Sequence, residues 1–94
     1  MSPLNIPPEP KGIPELRAQC FIMGKWRECV VLSADRQTQI IEARIHGTLF
    51  NAIVPFHSVQ NVALKYPSGE IVQSFGAPKL SNPASLEFIG SFPF

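Results

Sequence analysis

The sequence contains no long apolar run and no excess of charge of either sign. Lysine and arginine together number 8 and aspartate and glutamate 7, which gives a formal net charge of +1. Dedicated nucleic-acid domains are usually far more basic, so strong long-range attraction to phosphate is not expected. A membrane helix needs about 18 or more consecutive apolar residues, and no such run occurs. We therefore predict a protein without a membrane segment.

Signals for secretion and metal binding are also missing. Residues 1–15 carry neither the basic n-region nor the apolar h-region of a cleaved signal, which predicts a cytoplasmic location. The 2 cysteines fall short of the four ligands of a structural zinc site, and no CxxC or HxxxH spacing lies near them. No metal and no other cofactor is predicted.

Residues with catalytic chemistry are few and widely separated. The two histidines, His46 and His57, share no recognised spacing with serine, cysteine or carboxylate partners. The 6 glycines are scattered, so no phosphate-binding loop is formed, and no paired-carboxylate arrangement occurs. We predict that the protein is not an enzyme and that it has no catalytic residue.

The chain does contain many prolines, which cluster at its two ends. Its 10 prolines are about twice the average usage. Those in residues 2–14 remove backbone donors and exclude a helix or an interior strand. We predict an arm over residues 1–14, a folded domain over residues 15–75, and an extension over residues 76–94 that packs on or beside the domain. A proline-rich ligand for a partner's aromatic groove is the functional alternative for the arm.

Residues 38–56, TQIIEARIHGTLFNAIVPF, show the clearest alternation. A turn centred on Gly47 folds the two halves together and brings alternate apolar residues onto one face. That predicted core face consists of Ile41, Ala43, Ile45, Phe50, Ala52 and Val54. The other face collects polar residues between Ile40 and Ile53, as in an antiparallel pair with one side on a core and one mostly in water.

Residues 16–32 predict a second hairpin, LRAQCFIM and WRECVVL around a Gly24-Lys25 loop. Glycine at the first position of a two-residue loop suits a type II′ turn. This choice of loop places Cys20 directly across from Cys29. The pair is either a cross-strand disulfide with a redox role or two small buried thiols, and the missing secretion signal favours the thiols.

The remaining pattern is that of short strands. We predict a tight turn at residues 56–58, followed by a strand at residues 59–65. A turn with proline at its second position is predicted at residues 66–69, a strand at residues 71–75, and pairing at a sheet edge for residues 85–89. Helix is almost absent. We predict an all-β fold, a small barrel of five to six short antiparallel strands with a proline-rich N-terminal arm and an irregular C-terminal tail.

Two motifs in residues 20–64 carry a family resemblance. GKWRECVVL is similar to the G-x-W-x-x-A-x-V strand of Tudor-type SH3-like barrels, and VPFHSVQNV resembles their terminal turn and closing strand. The same span is also similar to Sm-like barrels. The Tudor resemblance implies an aromatic cage for methylated lysine or arginine, with Trp26 as the family tryptophan. The Sm-like resemblance implies a ring oligomer that binds RNA.

Exposed aromatic residues suggest where a partner binds. The candidates for a protein partner, or for self-association into a homo-oligomer, are Met23 and Trp26 at the first hairpin and Phe88, Phe92 and Phe94 in the tail. Closure of the core is the alternative for the tail. We predict a noncatalytic protein-interaction or assembly module. The rival function is binding of single-stranded nucleic acid or RNA through a basic and aromatic set, Lys25, Trp26, Arg27, Arg36 and Arg44.

Overall fold

Six strands form one antiparallel sheet in the computed structural model, which describes the backbone of residues 12–91 and the side chains of residues 12–89. The strands are β1 (Glu15–Ile22), β2 (Lys25–Asp35), β3 (Ile40–Ile45), β4 (Asn51–Pro55), β5 (Val59–Lys65) and β6 (Ile71–Gly76). Two 3-10 segments, Phe56–Ser58 and Pro83–Ser91, complete the described chain. The predicted all-β class is confirmed.

The sheet is strongly curved. Its strand order is β4-β3-β2-β1-β5-β6, so β4 and β6 are the edges. Two strands separate β1 from β4, which would keep them about 14 Å apart in a flat sheet. Some of their Cα atoms nevertheless lie within 8 Å of each other. Register shifts between β1 and β5 and between β2 and β3 mark bulges, which increase local bending and twist.

The concave face of this sheet holds the core. Alternation on β1 turns Leu16, Ala18, Cys20 and Ile22 inward, where they meet the apolar residues of the neighbouring strands. Two residues of the second 3-10 segment, Leu86 and Phe88, belong to the same buried cluster. The Phe88 ring packs edge-to-face on Phe75 of β6, with ring centroids 5.7 Å apart.

The hairpin of β3 and β4 is present, and most of its predicted core face is confirmed. Ile41 pairs with Val54 and Ala43 with Ala52, and all four face the core. Phe50 is the exception, because its side chain is 49% exposed. Phe50 precedes β4 on the edge side of the hairpin, opposite Ile45, which does pack against the core. The predicted place of Phe50 in the core is therefore wrong.

The predicted register of the first hairpin is also wrong. Ile22 pairs with Lys25, so the loop is Met23-Gly24 and not Gly24-Lys25. Both loop residues have positive φ, 52° at Met23 and 77° at Gly24, as a type I′ turn requires. The pairing therefore moves by two residues, and Cys20 lies opposite Arg27 while Cys29 lies opposite Ala18. The two cysteines are diagonal neighbours on the core face, and both are free thiols.

The later elements match the predictions with one exception. The 3-10 turn at residues 56–58, the strands at residues 59–65 and 71–75 and the turn at residues 66–69 are all present. The edge strand predicted over residues 85–89 is wrong, because these residues lie in the 3-10 segment Pro83–Ser91. The Ser85 hydroxyl accepts a hydrogen bond from the Lys79 N–H and donates one to the Asn82 carbonyl. These local bonds replace pairing with a strand.

Candidate functional site

The outer face of the first hairpin carries an exposed aromatic pair. Because Cys20 and Ile22 point into the core, alternation turns Phe21 outward, and Trp26 lies directly opposite it. The two rings meet edge-to-face, with centroids 5.3 Å apart and an interplanar angle of 68°. Each residue remains 45% exposed. Each ring therefore restrains the other while both still offer apolar surface to a partner.

Met23 extends this apolar surface at the turn. It occupies the first loop position in the left-handed region, and its side chain is largely exposed. Phe21, Met23 and Trp26 together are called the first-hairpin surface below. Sequence reasoning identified Met23 and Trp26 but missed Phe21. The alternation of side chains along β1 could have identified Phe21, since a strand with Cys20 and Ile22 in the core must place Phe21 on the opposite face.

The basic residues predicted to accompany Trp26 project to the other side of the hairpin. Lys25 pairs with Ile22 and Arg27 pairs with Cys20, and both of those partners face inward. Arg27 is half-buried, and its Nε donates a 2.9 Å hydrogen bond to the Ile22 carbonyl. The structure therefore does not bring Lys25 and Arg27 together with Trp26 on one face.

Arg44 shares the outer face with Trp26 but lies apart from it. Arg44 pairs with Val30 of β2, and Trp26 is four residues along that strand, a separation of about 13 Å. Arg36 is exposed in the loop that follows β2. Of the tail residues, Phe88 is buried and so closes the core, whereas Phe92 and Phe94 lie outside the described residues.

A cluster of four charged residues occupies the outer face near the aromatic pair. Arg17, only 7% exposed, has its Nε 3.0 Å from Glu15 Oε2 and its Nη1 3.7 Å from Glu28 Oε2. Lys65 Nζ also lies 3.4 Å from Glu28 Oε2. Two cations and two carboxylates compensate each other, so this part of the face carries no surplus positive charge for phosphate.

Side-chain amides join β1 to β5 beside the aromatic pair. Gln19 Oε1 accepts hydrogen bonds from Gln60 Nε2 at 2.9 Å and from Asn61 Nδ2 at 2.8 Å. Asn61 has a φ of 54°, a left-handed conformation that asparagine tolerates better than most residues. Gln19 also pairs with Glu28, so the network adjoins the charged cluster. Together the two groups fix the platform from which Phe21 projects.

The environment of the two thiols disfavours their reactive, deprotonated form. Burial, followed by the influence of Cys29, raises the pKa of Cys20 from 9.0 to about 12. Burial also raises the pKa of Cys29. The thiolate is the nucleophilic form of cysteine, and a raised pKa keeps both groups protonated at neutral pH.

The described part of the chain shows few other groups suited to metal binding or catalysis. Within residues 12–91, no three histidine, cysteine or acidic side chains lie close enough together to hold a metal ion. Among those same residues, no helix is both long and apolar enough to cross a membrane. A cleft of about 780 Å³ lies between the turn at residues 56–58 and residues 77–81. Its lining includes His57 and Lys79 but no cysteine or carboxylate.

Comparison of the chain with protein-family models, with curated protein sequences and with solved structures found no match.

Proposed function

We propose that the chain is a noncatalytic protein-interaction or assembly module built on a small SH3-like β-barrel, and that a protein partner binds the first-hairpin surface. The half-exposed edge-to-face pair of Phe21 and Trp26 carries this proposal. Aromatic residues and methionine are enriched in protein interfaces, and tryptophan is among the residues that most often dominate the binding energy. Met23 adds a soft apolar side chain that adapts to the shape of a partner.

The barrel part of the proposal draws support from the curvature of the sheet. The approach of β1 to β4 is what a sheet closing on itself requires. The short 3-10 segment between β4 and β5 occupies the position that the SH3-like resemblance implies. Phe21 and Trp26 both lie on paired strands, so little backbone freedom is lost when a partner binds their rings.

Binding of single-stranded nucleic acid is the rival function. The exposed rings of Phe21 and Trp26 are the observation that favours it, because every base has a face that stacks on aromatic side chains. The charge around the rings is unfavourable to this rival. The cluster of Arg17, Glu28 and their partners is neutral, and Lys25 and Arg27 lie on the other side of the hairpin.

Trp26→Ala compared with Val72→Ala tests the proposed function. Val72, in β6, is 45% exposed like Trp26 but lies away from the first hairpin, so it is a matched control. A partner identified by retention on the immobilised wild-type chain is titrated against each purified variant. We expect Trp26→Ala to weaken binding by about tenfold or more, the loss typical of a dominant interface residue, and Val72→Ala to leave it unchanged. Equal affinity for the two variants would refute the proposal.

The rival is tested with a fluorescent single-stranded oligonucleotide titrated at about 50 mM and about 200 mM salt, because phosphate contacts weaken steeply over that range. Binding that falls with salt and is lost in both Trp26→Ala and Arg44→Ala would favour nucleic acid as the ligand. We expect no measurable binding at either salt concentration.

A further inference from the structure

Three exposed apolar side chains lie in β4 and immediately before it, at one edge of the sheet. Leu49 is 92% exposed, Ile53 70% and Phe50 49%, and the three lie within five residues of one another. Strand β4, Asn51-Ala52-Ile53-Val54-Pro55, carries no charged residue. Monomeric proteins usually prevent their edge strands from pairing with another chain by means of lysine, proline, bulges or a covering segment. Within β4 the one such feature is Pro55, at the end of the strand.

The backbone of β4 offers a regular set of unpaired groups. The Ile45 N–H donates to the Phe50 carbonyl, and the Phe56 N–H donates to the Gln39 carbonyl. Hydrogen-bonded pairs alternate along an antiparallel ladder, and β3 and β4 pair without a register shift. The Ala52 and Val54 backbone groups therefore face β3. Those of residues 51, 53 and 55 face away, and no described strand pairs with them.

The other edge of the sheet is less suited to pairing. Strand β6 pairs with β5 through two register shifts, one between Val62 and Ala63 and one between Leu64 and Lys65. Such irregularities twist an edge away from the flat geometry that a further strand needs. The pairing of β4 with β3 has no such irregularity.

We propose that β4 pairs antiparallel with β4 of a second copy of this chain across a two-fold axis. In the register that places Asn51 of one copy opposite Ile53 of the other, the free backbone groups of these two residues lie at the centre of the ladder. Each Pro55, which has no N–H, falls at an outer end, where the missing donor costs least. The absence of charge on β4 means that two copies meet without like-charge repulsion, and their Ile53 side chains leave water together. Closed two-fold pairs are the commonest oligomers of soluble proteins.

This inference goes beyond the proposed function and is independent of it, because neither Phe21 nor Trp26 lies in β4. The test uses the full chain in sedimentation equilibrium over about a hundredfold range of concentration, since dimer formation follows mass action. We expect the wild-type mass to rise with concentration towards twice the 10.4 kDa of one chain. Ile53→Lys should stay monomeric, because pairing would place two lysines side by side.

Val72→Lys, on the β6 edge, is the matched control and should dimerise like the wild type, as should Trp26→Ala. Circular dichroism establishes that each variant is folded, which is expected because Ile53 and Val72 are both exposed. A wild-type chain that stays monomeric throughout would overturn the proposal. So would loss of the dimer in Val72→Lys with retention in Ile53→Lys.

Amide hydrogen exchange supplies a second readout that needs no variant. The Ile53 N–H should become protected as concentration rises, because it donates to the second copy. The Val54 N–H, which faces β3, should be protected at every concentration and serves as the control within the same strand. Exchange at Ile53 that is independent of concentration while the chain dimerises would place the contact elsewhere and overturn the assignment to β4.

Discussion

Replacing Phe88 with alanine tests whether the 3-10 segment Pro83–Ser91 is part of the folded core or only a cover for it. The Phe88 side chain is 0% exposed and lies in the same buried cluster as the residues of the sheet. Its ring also meets Phe75 edge-to-face at 5.7 Å. Removing the ring therefore deletes buried apolar surface, leaves a cavity and ends the contact with the β6 ring.

The expected loss is large for a domain of this size. Truncation of a buried phenylalanine to alanine costs about 3–5 kcal/mol. Of this, about 0.5–1.5 kcal/mol comes from the geometry of the aromatic pair. A domain of 94 residues is expected to have an unfolding free energy near the lower end of the usual range of about 5–15 kcal/mol. Phe88→Ala should therefore remove about half or more of the total stability.

Urea unfolding followed by tryptophan fluorescence and by circular dichroism measures this loss. Leu80→Ala is the control, because Leu80 lies in the same part of the chain and is half exposed, and it should change the unfolding free energy by less than about 0.5 kcal/mol. Phe88→Leu keeps most of the apolar volume and should recover most of the stability. A Phe88→Ala variant that loses less than about 1 kcal/mol with an unchanged urea slope would refute the placement of this ring in the core.

Two further predictions concern the first hairpin. Because the pKa of Cys20 rises from 9.0 to about 12 on folding, the unfolding free energy should be intact below pH 9.0 and fall as pH rises towards 12. Urea titrations at about pH 8 and pH 10.5 should differ by at most about 2 kcal/mol from this source, and Cys20→Ala should flatten the slope. Met23→Asn should raise the melting temperature by a few degrees, because asparagine suits the positive φ of 52° in a type I′ turn. An unchanged or lower melting temperature would count against that assignment of the turn.

The central hairpin could be predicted because two independent signals agree on it. Strict alternation identifies the core face, and a glycine between the apolar runs fixes where the chain turns. A slip of one residue would have moved Ile41 and Ala43 to the solvent side, so burial itself selects the register. The same reasoning failed for Phe50, since alternation gives the face of a residue but not whether the core covers that position at the edge of the sheet.

The register of the first hairpin could not be decided by the pattern. A Gly24-Lys25 loop and a Met23-Gly24 loop differ by two residues in pairing, and both keep Cys20 and Cys29 on the core face. The core face is therefore the same in the two registers, which differ in the turn and in the cross-strand pairs, and only the observed register places Phe21 opposite Trp26. Type I′ needs a left-handed residue before the glycine, and Met23 adopts that conformation, which costs about 1–2 kcal/mol for an ordinary residue.

The C-terminal segment shows a different limit of sequence reasoning. Residues 85–89 contain apolar residues at a spacing that a strand would share, so alternation alone favoured an edge strand. The side chain of Ser85 decides the matter through bonds to Lys79 and Asn82, which precede the segment. The spacing of apolar residues does not reveal when side-chain hydrogen bonds replace the backbone hydrogen bonds of a strand. Ser85 and the preceding Pro83 are nevertheless both residues that favour turns.

The first-hairpin surface follows from the alternation of side chains along β1 and β2, and the exposed edge follows from the place of β4 in the strand order. Phe21 and Trp26 are outward because their neighbours are inward, whereas β4 is exposed because it ends the strand order. Strand β3 separates β4 from the first hairpin, so the two surfaces do not compete for the same residues. A pair of chains joined through β4 would thus carry two copies of the first-hairpin surface. For a partner with two matching sites, the second contact would then be intramolecular, and the apparent affinity would exceed that of one chain without any new contact.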